Sequence, residues 1–189
     1  SRGACRAAVA RMIETERLIL RWPVPADRAA LHAMWADPAV MIDLGPIKSP
    51  SDSDAAIARH AGYRDSHGLG FWTVELRQDG SVIGFCGLKP GAENTPAEGE
   101  IEIGWMLAQP WWGKGYAREA AAASLDWAWS RQAAPRVVAI TAARNLASQR
   151  LMERLGMTKR PGDFLHPIFA DDDPLRHSVI FSIDHPAIA

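Results

Sequence analysis

The sequence predicts an α/β protein with one mixed, mostly antiparallel sheet flanked by helices. β-rich segments alternate with helical ones in the order β-α-α-β-β-β-α-β-α-β-β. The dipeptide Asp79-Gly80 between two β-rich segments is a strong hairpin signal. A two-glycine loop at residues 113–115 joins a strand to a helix, as in a β-α-β unit. At 189 residues, the chain is long enough to bury one substantial core.

Composition narrows the class of partner. The net charge of −1 gives no positive field to attract a polyanion, so we expect no nucleic-acid partner. Apolar runs are too short to span a bilayer, so we expect no membrane partner. Cys5 and Cys86 fit a reducing compartment and have no zinc-site spacing around them. We therefore expect a cytoplasmic protein without a metal, present as a monomer or a homodimer.

The N-terminal residues predict no folded element. Residues 1–11 contain arginines and small residues but lack the apolar core of a signal peptide. Met12 stands directly before a segment with strand character. We interpret residues 1–11 as an extension without function and residues 12–189 as a single domain.

The first half of the chain predicts a strand, two helices and a hairpin. Alternating β-formers give the first strand, and Pro23 ends it. Asp37-Pro38 ends the first helix, and Ser51 or Ser53 is expected to cap the second. The predicted elements are a strand over 16–22, helices over 26–36 and 53–66, and the hairpin strands 71–76 and 81–88.

The second half predicts the β-α-β part of the sheet. Alanines and Leu125 form the buried stripe of a helix that follows the glycine loop. Gly156 ends a second helix, which begins at Asn145. The predicted elements are a strand over 98–107, a helix over 115–131, a strand within 135–143, a helix over 145–155, and strands over 157–160 and 177–183.

The loop of residues 113–118 is a candidate anion site. Glycines let a backbone approach a ligand, and the first N–H groups of a helix have no helical acceptor and point toward an anion. Lys114 and Arg118 add positive charge. The alternative interpretation is an ordinary helix start without a ligand.

Together, these motifs resemble the GNAT superfamily of acyl-CoA-dependent N-acetyltransferases. The resemblance extends over nearly the whole chain from Met12 and is closest to the RimJ/RimL-like branch. Its carriers are the following motifs: Thr15-Glu16-Arg17-Leu18, Asp37-Pro38, Trp112-Gly113-Lys114-Gly115-Tyr116-Ala117, Asn145-x-x-Ser148 and Leu155-Gly156-Met157. Trp112 departs from the Gln or Arg that opens the pyrophosphate loop in the superfamily pattern.

The resemblance implies acetyl transfer from acetyl-CoA to a primary amine, directly within a ternary complex. The acceptor is a protein N-terminal α-amine or a small-molecule amine. The residues expected to bind the cofactor are Trp105, Met106, Leu107, Trp112, Gly113, Lys114, Gly115, Tyr116, Ala117, Arg118, Asn145 and Ser148. Many family members have a proton-donating tyrosine where this chain has Met152, which leaves a catalytically idle acyl-CoA-binding domain as the alternative function.

Glu100 and Glu102 are the candidate bases. Two positions apart on one strand, their carboxylates are expected on one face about 7 Å apart, where like charges raise one pKa. We favour Glu102, because the segment Glu-Ile-Gly-Trp is similar to one that recurs in the RimJ/RimL-like branch. The alternatives are a pair of solvated glutamates and proton loss to water. For the leaving thiolate, the resemblance implies the Ser148 hydroxyl.

Overall fold

A computed structural model describes residues 11–131 and 134–188. Within them, the chain forms one nine-stranded sheet with five α-helices. The strands are Arg11–Glu14 (β1), Leu18–Arg21 (β2), Gly70–Leu76 (β3), Val82–Pro90 (β4), Ile101–Leu107 (β5), Arg136–Ala142 (β6), Thr158–Lys159 (β7), Phe164–Leu165 (β8) and His177–Asp184 (β9). The helices are Arg28–Trp35 (α1), Pro38–Met41 (α2), Pro50–His67 (α3), Tyr116–Arg131 (α4) and Leu146–Arg154 (α5).

The sheet divides where β5 meets β6. Its order is β1-β2-β3-β4-β5-β6-β9-β7, with β8 also on β9, and every pairing is antiparallel except β5 with β6. That parallel pairing registers Ile101 with Val137 and Glu102 with Val138. Beyond it, β5 continues to Leu107 and β6 to Ala142 with no further pairing between them in the described chain. We call this opening the fork.

Helices cover both faces of the sheet. One core lies under α4, where the small side chains of Ala120, Ala121 and Ala128 let the helix pack closely on the strands. The other lies under α1, α2 and α3, where Trp35 packs edge-on against Phe85. The expected mixed sheet with flanking helices is therefore confirmed.

Several boundaries differ from the sequence predictions. The central strand begins at Ile101 rather than at residue 98, and the predicted first strand is reduced to β2. The strand β1, the helix α2 and the strand β8 were missed because each has only two to four residues, too few to show a period. β1 begins at Arg11, one residue before the predicted domain start, and residues 1–10 lie outside the described part of the chain.

Side-chain caps fix the starts of α3 and α2. Ser49, rather than Ser51 or Ser53, caps α3, because its hydroxyl accepts from the Asp52 N–H at 3.1 Å. The Asp37 carboxylate accepts from the Ala39 N–H at 2.9 Å and caps α2. The Asp-Pro pair thus starts a new helix as well as ending α1.

Candidate active site

A cavity of about 530 Å³ lies at the fork between β5 and β6. Its walls come from the end of β5, the glycine loop, α5, and the segment formed by α2 and the residues just after it. All the predicted cofactor residues except Lys114 line it: Trp105, Met106, Leu107, Trp112, Gly113, Gly115, Tyr116, Ala117, Arg118, Asn145 and Ser148. The chain folds these distant segments into one site.

The glycine loop presents backbone donors to this cavity. Gly113 and Gly115 have φ angles of 72° and 81°, in the left-handed region that glycine adopts without strain. The first helical bond here runs from the Glu119 N–H to the Gly115 carbonyl at 3.1 Å. By helix geometry, the N–H groups of the residues between them have no acceptor within the helix. The loop therefore has the donors of an anion site.

Arg17 and Glu119 brace the loop from behind. The Arg17 guanidinium donates to the Lys114 carbonyl at 2.9 Å and to the Glu119 carboxylate at 2.6 Å, and it lies over the Tyr116 ring. Glu119 also accepts from the Thr15 hydroxyl at 2.6 Å. Burial raises the pKa of Glu119, but the bonds from Thr15 and Arg17 outweigh it and hold that pKa below its ordinary value. The sequence analysis missed both bracing residues as part of the site.

Lys114 lies apart from the other predicted cofactor residues. Its ammonium lies 5.2 Å from the centre of the Trp111 ring, and Lys114 is absent from the residues described as lining the cavity. Its backbone carbonyl, held by Arg17, is what shapes the loop. The contribution of its charge to cofactor binding stays a prediction.

Backbone amides at the end of β5 face the fork. The Ala108 N–H donates to the Ile83 carbonyl on the β4 side at 2.9 Å. Because successive residues of a strand point their N–H groups to opposite sides, those of Trp105 and Leu107 point toward β6, where the pairing has ended. The Leu107 carbonyl accepts from the Trp112 indole at 2.9 Å, which ties the strand end to the glycine loop.

Asn145 and Ser148 form the opposite wall. The Asn145 side chain is 6% exposed, and its oxygen caps α5 by accepting from the Ser148 N–H at 3.2 Å. No described residue bonds the Ser148 hydroxyl, so it is open to a ligand. Met152, one turn further along α5, is 2% exposed and packs in the core below α4. It supplies no proton donor, as expected from its side chain.

Glu100 and Glu102 lie at the start of β5, and each is held by basic partners. Glu100 directly precedes the strand, and its carbonyl accepts from the Gly91 N–H at 2.8 Å, in register with the β4–β5 pairing. Glu100 pairs with Arg136 and Arg160, each at 3.2 Å. Glu102 is 6% exposed and accepts from the Lys89 ammonium at 2.8 Å and from the Ala92 N–H at 3.1 Å.

Neither glutamate is among the described residues that line the cavity. Basic side chains hold both carboxylates, and these positive charges offset the repulsion expected between the two glutamates. Their catalytic role stays a prediction.

The cavity also contains an acidic residue that the sequence analysis missed. Asp43 lines the wall beyond α2, and its carboxylate accepts from Arg144 Nε at 2.7 Å. No motif marks either residue, since they lie 101 positions apart in the chain.

The described part of the chain contains a buried free cysteine, Cys86. Cys86 is fully buried against Ser124, and burial raises the pKa of its thiol to about 12. Residues 11–131 and 134–188 contain no group of three or more His, Cys, Asp or Glu side chains placed to hold a metal ion. Nor does any helix within those ranges have the length and apolarity needed to cross a membrane.

Comparison with known proteins identifies the family. Residues 17–158 match the model of the acetyltransferase (GNAT) domain. The chain is 31% identical to the Bacillus subtilis protein YkkB over 144 residues, which cover 76% of this chain and 83% of YkkB. Among solved structures, an acetyltransferase from Agrobacterium tumefaciens is similar with a TM-score of 0.75 and 27% identity, over 97% of this chain and 99% of that one.

A more distant structure shares the fold. It is RimL, a ribosomal-protein α-N-acetyltransferase in complex with coenzyme A, with a TM-score of 0.74 and 16% identity over 94% of this chain and 99% of that one. A nine-stranded sheet with a fork beside a glycine loop, together with the family match, defines an acyltransferase. The chain belongs to the GNAT acetyltransferase family.

Proposed function

We propose that this protein transfers an acetyl group from acetyl-CoA directly to a primary amine. The observation that carries the proposal is the continuity of one cavity from the glycine loop to the fork. The free N–H groups of residues 116–118, after the two glycines, lie at one part of it, and the Trp105 and Leu107 amides, which pair with no described strand, lie at another. A thioester carrier with a pyrophosphate needs both kinds of donor in one site.

In this proposal, the backbone does most of the binding. The N–H groups of residues 113–118 receive the pyrophosphate, and Arg118 on the cavity wall adds positive charge. The Trp105 and Leu107 amides pair with the pantetheine arm as a neighbouring strand would. A fixed N–H donor beside the thioester carbonyl stabilises the oxyanion of the transition state by roughly 3 kcal/mol.

Ser148 is the proposed partner of the leaving thiolate. Its hydroxyl has no acceptor among the described residues and lines the cavity beside Asn145. A thiolate whose thiol has a pKa of about 8.5 is only a modest base, so one hydrogen bond to sulfur is sufficient help. The Asn145 amide, fixed by its capping bond, is proposed to bind the cofactor arm next to it.

Direct transfer in a ternary complex is favoured over a covalent acyl-enzyme. The step forms the N–C bond to the acetyl carbonyl, breaks the C–S bond, and passes the amine proton to a base or to water. A covalent route needs a reactive thiolate, and the buried Cys86 with its raised pKa does not provide one. Initial rates at varied concentrations of both substrates should therefore give intersecting rather than parallel double-reciprocal lines.

Glu102 remains the proposed base, with proton loss to water as the competing route. Its ion pair with Lys89 keeps the carboxylate at a fixed position outside the cavity lining, which weighs against direct contact with the amine. Glu100, held by two arginines, is the weaker candidate. The cytoplasmic location and the monomeric or homodimeric state likewise remain predictions.

Acetyl-CoA turnover tests the proposal. Thiol release should be slow with acetyl-CoA alone and should rise with an acceptor from a panel that contains small primary amines and short peptides with free N-termini. The N-acetylated forms of the same peptides are the matched controls. Failure to bind acetyl-CoA at millimolar concentration would contradict the proposal.

A further inference from the structure

The charges that line the cavity are unevenly distributed. Arg118 and Arg154 are exposed basic residues on the walls formed by α4 and α5. Asp43 is the one carboxylate among the described lining residues, and it lies on the wall that follows α2. A polyphosphate carrier suits the basic walls. The acidic wall suits a cationic ligand, and an acceptor amine is cationic before it reacts.

The Asp43 carboxylate retains one oxygen for a ligand. Its Oδ1 accepts from Arg144 Nε at 2.7 Å, and no described residue bonds Oδ2. The side chain is 31% exposed, so it is neither sealed in the core nor fully solvated. Arg144 directly precedes Asn145 at the fork. The ion pair therefore ties the wall that carries Asp43 to the residue before Asn145, which lines the same cavity.

The backbone fixes the segment that carries Asp43. The N–H groups of Leu44 and Gly45 donate to the Met41 carbonyl at 2.9 and 3.0 Å. The Lys48 N–H donates to the Trp35 carbonyl at 3.0 Å, which ties the following loop to α1. Because the turn is held on both sides, the carboxylate direction is set by the fold rather than by a mobile loop.

Apolar residues flank Asp43 in sequence and line the same wall of the cavity. Val40 is buried and Leu44 lines the same wall, while Ile42 is 62% exposed. A carboxylate among apolar groups interacts strongly with a cation, because less water competes for it. The pattern fits an ammonium attached to an apolar substituent.

We propose that Asp43 binds the ammonium group of the acceptor and directs it toward the thioester, which the amine attacks after the ammonium has lost a proton to a base or to water. This inference rests on the proposed function and adds to it the residue that selects the acceptor. Arg144 positions the carboxylate through Oδ1, and the acceptor N–H groups bind Oδ2. The expected acceptor class is a primary ammonium with an apolar flank.

Two matched variants separate recognition by Asp43 from a purely structural ion pair. Asp43→Asn removes the charge, and Arg144→Gln keeps the Asp43 carboxylate but removes its partner. Asp43→Asn should raise the KM for the amine roughly tenfold to a hundredfold, as expected for loss of a charge-assisted bond. The dissociation constant for acetyl-CoA should change by less than about threefold, and Arg144→Gln should raise the amine KM clearly less than Asp43→Asn.

Asp126→Asn, at an exposed position of α4 outside the cavity, controls for loss of an acidic charge.

A measurement on the unaltered protein removes any dependence on folding of the variants. A tertiary alkylammonium, which keeps an N–H but cannot form an amide, should inhibit acetyl transfer at least about tenfold better than the alcohol of the same chain length, because only the cation pairs with Asp43. Equal inhibition by the two compounds, or equal losses in Asp43→Asn and Arg144→Gln, would overturn the inference while leaving the proposed function intact. Absence of amine-dependent turnover in the unaltered protein would overturn both.

Discussion

His60 shows how a single residue is adapted to the fold rather than to the reaction. It is 5% exposed on α3, its Nδ1 accepts from the Phe71 N–H at 3.0 Å, and its ring lies 4.3 Å from that of Phe71. Burial, with the nearby positive charges of Arg59 and Lys89, lowers its pKa to about 3. The residue is therefore neutral in the folded state at every pH at which the protein is expected to work.

This shift makes stability depend on pH in a defined window. The pKa of histidine in an unfolded chain is about 6.5. Between that pH and about 3, the unfolded chain binds a proton that folded His60 does not. The free energy of unfolding should fall by up to about 1.4 kcal/mol per pH unit as pH decreases through the window, and His60 should contribute no slope above it.

Urea titrations at several pH values measure this slope. His60→Gln keeps an acceptor for the Phe71 N–H and should flatten the dependence between pH 6 and about 4. His67→Gln, an exposed histidine on the same helix, is the control and should leave the slope unchanged. Parallel slopes for the unaltered protein and His60→Gln would show that His60 titrates normally.

The proposed role of Glu102 as the base can be separated from its role in the ion pair with Lys89. If Glu102 is the base, Glu102→Gln should lower the rate at neutral pH by roughly 10²- to 10⁴-fold, with little change in acetyl-CoA affinity. Lys89→Met removes the partner of the same pair but no base, so it should retain most of the rate. Glu100→Gln should show a smaller loss than Glu102→Gln.

The comparison of these variants assigns the role. Similar losses in Glu102→Gln and Lys89→Met, together with lower stability in both, would identify the pair as structural. Near-native rates in both glutamate variants would leave water as the proton acceptor.

At the scale of elements, binding of acetyl-CoA by the glycine loop is expected to depend on the backbone conformation of the loop. Gly115 has a φ of 81°, and an added Cβ would lie 3.4 Å from Arg17 Nη2. Gly115→Ala should weaken acetyl-CoA binding, because the loop must change shape and press on its brace. Gly162→Ala imposes a similar conformational strain, at φ 89° with open space around it and outside the cavity, so it is the matched control.

Isothermal titration of both variants with acetyl-CoA gives the comparison. Both should lose about 1 kcal/mol of stability from the left-handed backbone. Only Gly115→Ala should lose affinity, by roughly tenfold or more if the loop N–H groups carry the pyrophosphate. Equal affinity in the two variants would place the phosphate site elsewhere.

The same scale explains what the sequence could predict. Gly113 and Gly115 act through local conformation, and Asn145 caps the helix it starts, so short-range spacing was sufficient to find them. The brace between Arg17 and Glu119 joins residues 102 positions apart, and only the pairing of strands and helices brings them together. The central strand begins at Ile101 rather than at residue 98, and no local pattern marks that boundary.

On the scale of the whole molecule, the cofactor should behave as part of the fold. Acetyl-CoA should bind the folded chain and not the unfolded one, which stabilises the protein by about 2.7 kcal/mol at a hundred times the dissociation constant. For a chain of this size, that corresponds to a rise in Tm of roughly 5–10 °C. Differential scanning fluorimetry with acetyl-CoA, and with free acetate as the control, measures it. No shift at millimolar acetyl-CoA would remove the cofactor from the proposal.

The fork also affects where the sheet opens locally and exchanges amide hydrogens with solvent. Two registered residue pairs connect the antiparallel strands before β6 to the strands after β5, so the sheet has a narrow joint at its centre. The Trp105 and Leu107 amides lie on the open side of that joint, and they should exchange their hydrogens with solvent faster than the amides of β4 beside them. A pantetheine arm seated there would close the joint, and exchange at these two amides should then slow. Each round of catalysis would alternately close and reopen the centre of the sheet.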